Sequence, residues 1–155
     1  MQLIEYQTAS RETALYPDRD SNLWYPALGL IGEYHEWQMA TDDTNRRKEA
    51  GDVAWYCAQI CSELKEDLET AIAHPHPTHN SALVLMTLAE GVKKWHRDGG
   101  DAQKRQNILA SVAWIWQTAV QQATEAETTA LLEGNIQKLR DRKDRGVLQG
   151  SGDNR

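Results

Sequence analysis

Between Val53 and Ile72 the apolar residues Val53, Tyr56, Cys57, Ile60, Cys61, Leu64, Leu68 and Ile72 recur at intervals of three and four. That spacing gathers all of them on one side of an α-helix, whereas a strand would scatter them over both faces. A stripe of this kind has to be buried, and the rest of the chain supplies more stripes of the same period and almost no strict alternation. One helix is expected over about 27–40, interrupted by "TDDTN", where Thr41 or Asp43 could cap the next. The second is expected to be long, about 45–73, and to stop at "HPHPTHNS", because each proline disfavours helix at the residue before it. A third fits 82–96 and ends at Gly99-Gly100. A fourth starts behind Asp101, with Ile108, Leu109, Val112, Trp116, Ala119 and Val120 on its stripe. Thr124 and Glu127 have capping-box spacing and open a fifth, ending near Lys143. The expectation is a single all-α domain over 1–155, a bundle of about five helices with a glycine-rich loop tail from about 144.

Composition narrows the partners. Hydrophobic residues at 40% and charged residues at 26% suit a globular domain with a real core. The formal net charge of −6 argues against general nucleic-acid binding, though not against an anionic substrate met by cations. The longest apolar runs fall short of the roughly 20 residues a membrane helix needs, and the opening "MQLIEYQTAS" lacks a basic, apolar leader. A cytoplasmic protein with no membrane partner is expected. Cys57 and Cys61, one turn apart in an apolar run, read as small core residues. His74, His76 and His79, spaced by prolines, read as a polar linker.

An internal echo runs through the sequence. "LIGEYHEW…KEAGDVAWY" is partly matched by "LAEGVKKW…NILASVAWIW", with Val53-Ala54-Trp55 returning as Val112-Ala113-Trp114. Where the first copy has Glu49 and Asp52, the second has Ile108 and Ser111. A degenerate duplication would leave chemistry in the first half and scaffold in the second.

The chemistry rests on four acids. Glu33 and Glu36 are three apart, as are Glu49 and Asp52, so each pair points one way from its helix. Glu49 lies four before Val53 and Asp52 four before Tyr56, which prolongs the apolar stripe instead of opposing it. Carboxylates on a half-buried edge repel each other and lose hydration, so protons or cations must relieve them. Magnesium, a hard ion that takes oxygen ligands and bridges carboxylate to phosphate, suits such a set. A di-iron bundle would want Glu-x-x-His pairs, and His35 stands at the wrong spacing. Solvated surface acids are the plain alternative.

In its ordered motifs the chain resembles the MazG-like family of all-α nucleoside triphosphate pyrophosphohydrolases, in particular its phage branch. The residues that carry the likeness are Tyr6-Gln7, "TALYP" at 13–17, "YPALGLIGEYHEW", "KEAGDVAWY" and the terminal "NIQKLRDRKDRGVLQGSGDNR". "VKKWHRDGG" also looks like a family loop, displaced along the chain. One departure is Gly32, where the family often has a further glutamate. The resemblance implies that Glu33, Glu36, Glu49 and Asp52 bind two or more magnesium ions, with manganese as a substitute. It also implies cleavage between the α- and β-phosphates to a nucleoside monophosphate and pyrophosphate, with Glu36 a candidate proton acceptor. Asn135 and Lys138, three apart, are then expected on the phosphates, with Arg142 continuing their face. Among the six tryptophans, Trp37, together with Trp24 and Tyr25, is placed to stack on a base, while Trp55, Trp114 and Trp116 suit the core. Lys94, with Lys93 and Arg97, could lend charge to the site. A homodimer or homotetramer and a role in the nucleotide pool of an infected cell follow from the same likeness. The MazZ-like branch points to (d)GTP. A dUTPase-like or dCTPase-like pyrimidine hydrolase and a non-enzymatic helical interaction protein are the rivals.

Overall fold

The structure, a computed structural model, describes residues 1–76 and 80–149. Those residues form helices α1 (Leu3–Arg11), α2 (Trp24–Met39), α3 (Asp43–Glu63), α4 (Leu68–Ile72), α5 (Ser81–Asp98), α6 (Ala102–Ile115) and α7 (Glu125–Asp144), with a π turn at Trp116–Val120 and no strand among them. The fold is all-α. No helix among the described residues is long and apolar enough to cross a membrane.

Helix α3 is the axis of the molecule. Its small residues Ala50, Gly51, Ala54 and Ala58 let neighbours approach, and it is buried on several sides from Ala50 to Cys61. Helices α1, α2, α4, α7 and the π turn all pack against it. The expected stripe of the fourth helix is buried throughout, from Ile108 to Val120, although the last turn loosens into π geometry. Cys57 and Cys61 are free thiols with no exposed surface, as small core residues should be. The Thr124–Glu127 capping box and the Asp101 cap form as the spacing predicts.

Three details differ from the sequence expectation. Helix α1 was not anticipated, because its buried face carries the polar Gln7 and Ser10 beside Tyr6 and Ala9 and so shows little apolar period. The long second helix is cut at Lys65, whose φ of 55° is left-handed, and the amide of Glu66 returns to the Cys61 carbonyl at 2.9 Å. Distant side chains hold that break open. Gln7 donates to the Glu66 carbonyl (2.9 Å) and accepts from the Leu68 amide (2.8 Å), and Arg105 donates to the Leu64 carbonyl (2.6 Å). Asp42, not Thr41 or Asp43, caps α3 through the Asn45 amide. Helix α7 ends at Asp144, as the expected end near Lys143 has it, with Gly146 at φ 70° just beyond. The expected loop tail is described only to 149, and His79 of the expected linker also lies outside the described residues.

The two halves of the echo are two helix hairpins, α2–α3 and α5–α6, the most extensive helix pairs in the protein. In the second hairpin a Cβ on Gly91 would lie 3.2 Å from Ile108. Gly91 and Ile108 occupy the places of Glu33 and Glu49 in the echo. The same crossing thus carries facing carboxylates in one hairpin and a close apolar contact in the other.

Candidate functional site

Helices α2 and α3 bring Glu33, Glu36 and Glu49 together: a carboxylate oxygen from each lies within 4.8 Å of the others. Two α-helical turns produce this, since residues three apart share a face and the hairpin sets the two faces opposite. Glu33 and Glu49 are half-buried and Glu36 is exposed, so the trio opens outward through Glu36.

Electrostatics at Glu33 report the crowding. Burial pushes its carboxyl up to about 8, with Asp52, Glu36 and Glu49 repelling its charged form and Lys138 opposing them. Asp52 is the strongest of those charges, so all four predicted acids act in one place. Asp52 nevertheless stands apart from the trio in its contacts. Both its oxygens accept from the Lys138 ammonium at 2.7 Å, and Oδ1 also accepts from the Asn135 amide at 3.1 Å. Asn135 is buried and in turn accepts from the Tyr6 hydroxyl at 3.0 Å. The chain Tyr6–Asn135–Asp52–Lys138 therefore fixes α7 and α1 to the acidic edge of α3.

Asn135 and Lys138 are at the acids, as expected, but they engage a carboxylate. Arg142 is buried and engaged within the protein. Two further candidates have partners of their own. Trp37 is half-buried: it packs on the core against Tyr34 (centroids 5.4 Å), and the Arg46 guanidinium sits 5.9 Å over its ring. The Lys94 ammonium lies 3.5 Å from Glu90 one turn back on α5, as i,i+4 geometry allows. Lys93 likewise pairs with Glu90, and Arg97 with Asp98. Trp24 stacks on His96 and Tyr25 on Tyr16, each still partly open. Tyr25 also approaches Tyr56 at 6.3 Å, and Tyr56 feels the charge of Glu33, so these tyrosines bring aromatic surface towards the acids.

Three features escaped the sequence reading. Between α3 and α7 lies a groove of about 360 Å³ lined by Arg47, Lys48, Gly51, Ala130, Leu131, Gly134, Asn135 and Lys138. The basic run "RRK" before Glu49 was its signal, but nothing in the sequence shows that α7 lies across from it. Tyr6 was visible only as part of a motif. Glu63, inside an apolar stripe, accepts from Arg11 (2.8 Å), Tyr16 (2.6 Å) and the amides of Asp20 (3.1 Å) and Asn22 (2.9 Å). It thereby pins the segment 12–23 that leads into α2.

Comparison with known proteins gives a phage relative. The chain is similar to the Gene 37 protein of Mycobacterium phage L5, with 30% identity over 155 residues, covering 97% of this chain and 96% of that protein. No family model matches the chain. No solved structure matches it.

Proposed function

The chain belongs to the family of the Gene 37 protein of Mycobacterium phage L5, and we propose that it is a MazG-like, magnesium-dependent nucleoside triphosphate diphosphohydrolase. The observation that carries this reading is the convergence of Glu33, Glu36 and Glu49 beside Asp52, with one carboxyl pushed so high that a cation would relieve it. The donor set fits magnesium: it is all carboxylate oxygen, clustered, and partly open to a ligand.

Glu33, Glu36 and Glu49 would hold the ions, with Asp52 completing the set. Bound magnesium screens phosphate charge and acidifies a water. In the reaction, water oxygen is added to the α-phosphorus, the bond to the bridging oxygen breaks, and pyrophosphate leaves. Glu36, the exposed member, would accept the water's proton. Lys138 and Asn135 present donors at the edge where phosphate oxygens would lie. Tyr25 and Tyr56 offer a flat surface for a base. The leading substrate is (d)GTP, with dUTP and dCTP as competitors. The setting would be nucleotide-pool control in the cytoplasm of an infected cell, by a homodimer or homotetramer.

Pyrophosphate release from a panel of triphosphates, with and without magnesium, tests this. Wild type should release it only with the metal, and Glu49→Ala should not. Equal, slow release by both proteins would leave a non-enzymatic bundle as the better description.

A further inference from the structure

Lys138 belongs to two places at once. Its ammonium clasps both oxygens of Asp52, and its side chain forms one end of the α3–α7 groove. The groove's other charged members, Arg47 and Lys48, are exposed, and among the described residues neither makes an ion pair. Among the described residues no carboxylate lines the groove, which is unusual on a protein of net charge −6. Its floor is small. Gly134 has nothing within 4 Å of where a Cβ would stand, and a Cβ on Gly51 would lie 3.1 Å from Asn135. Three cations around a shallow, small-residue trough make a place for a compact polyanion.

Asp52, meanwhile, cannot serve two partners equally. While Lys138 holds both its oxygens, it is not among the acids whose oxygens meet. An anion in the groove would compete for the same ammonium. Resting on the reading above, we propose that the groove seats the phosphate chain on Arg47, Lys48 and Lys138, and that filling it draws Lys138 off Asp52 and so completes the cation site. Phosphate binding is then coupled to cation binding through one lysine, reciprocally as any such linkage must be. The free protein keeps its fourth ligand latched, and a cation alone meets an incomplete set.

Two binding measurements test this without turnover. Inorganic pyrophosphate is titrated calorimetrically in EDTA against wild type and the Arg47→Gln/Lys48→Gln double variant. Mn²⁺ alone is titrated by electron paramagnetic resonance against wild type and Lys138→Met, with thermal melts confirming that each variant folds. The expected result is weakening of pyrophosphate binding by about tenfold or more in the double variant, and Mn²⁺ binding at least about fivefold tighter in Lys138→Met, because Asp52 is released. The proposal is overturned if wild type does not bind pyrophosphate, if the double variant binds it as well as wild type, or if Lys138→Met binds Mn²⁺ no more tightly. Turnover separates this from the hydrolase reading. Both binding results without triphosphate hydrolysis would keep the latch and remove the enzyme; hydrolysis with unchanged KM in the double variant would do the reverse.

Discussion

At the scale of single residues, Glu33 and Asp52 sit in opposite circumstances a few ångströms from each other's influence. Asp52 is stabilised by Lys138 and Asn135, whereas Glu33 is half-buried among like charges. Replacing Asp52 with Asn keeps the shape but weakens a ligand, and turnover of the triphosphate substrate should fall at least about 100-fold; a loss of tenfold or less in steady-state assays would argue against that role. Glu33 gives a prediction about pH. Its folded value of about 8 lies above the ordinary 4.5, so the folded state binds the proton more tightly than the unfolded chain. Its contribution to stability is therefore full below about 4.5 and is lost as pH rises towards 8. In metal-free protein, Glu33→Gln should flatten the fall in Tm between pH 5 and 8 seen for wild type. Magnesium should raise the Tm of wild type more at pH 8 than at pH 6, since binding requires the charged carboxylate. Differential scanning fluorimetry across the pH range reads both.

At the scale of elements, the α2–α3 crossing decides whether the acids meet at all. Gly29 lies so close to the Tyr56 ring that a Cβ there would overlap it. In an exposed helix, alanine for glycine stabilises by up to about 1 kcal/mol. Here the sign should reverse: Gly29→Ala should cost about 1–3 kcal/mol in urea unfolding, because the ring or the helix must move. If the helices separate, the carboxylate trio loosens as well, and metal affinity should fall although no ligand has changed. The Lys65 break is the complementary lesson. The apolar period continues from Leu64 to Leu68 and Ile72 as though one helix ran through. What ends it is hydrogen bonding from Gln7 and Arg105, residues 58 before and 40 after Lys65 in the chain. Periodicity registers which side chains are apolar; it is blind to a carbonyl captured by a distant side chain.

For the molecule as a whole, a buried acid and a half-buried one, Glu63 and Glu33, set the limits of stability from opposite sides. Burial disfavours the charge on Glu63, but hydrogen bonds from Tyr16, Arg11 and the amides of Asn22 and Asp20 outweigh it and hold its carboxyl below the usual value. A lowered folded value contributes stability above the unfolded value and loses it as pH falls. With Glu33 acting in the opposite sense, metal-free protein should show a Tm maximum on the acidic side of neutrality. Glu63→Ala should remove the steep acid limb while costing about 3–5 kcal/mol near pH 7, since Arg11 would be left without its buried partner; melts of the variant from pH 3 to 8 check this. A variant as stable as wild type at pH 7 would mean that the network does not anchor segment 12–23.

The sequence by itself determined the helical class, the caps at Asp101 and Thr124, the buried stripes, and the shared direction of each acid pair, because these follow from local period and from hydrogen bonds spanning three or four residues. The echo, too, was legible and located the equivalent crossings of the two hairpins. Only the tertiary structure decided that Asp52 is clasped by Lys138, that Trp37 packs beside Tyr34 and Arg46, that Lys94 pairs with Glu90, and that a cationic groove opens between α3 and α7. Asp52 and Lys138 are 86 residues apart, and the groove has walls from both ends of the chain. Contacts between such distant residues depend on how helices cross and which small residues let them approach, and a one-dimensional pattern carries the helices but not their crossings.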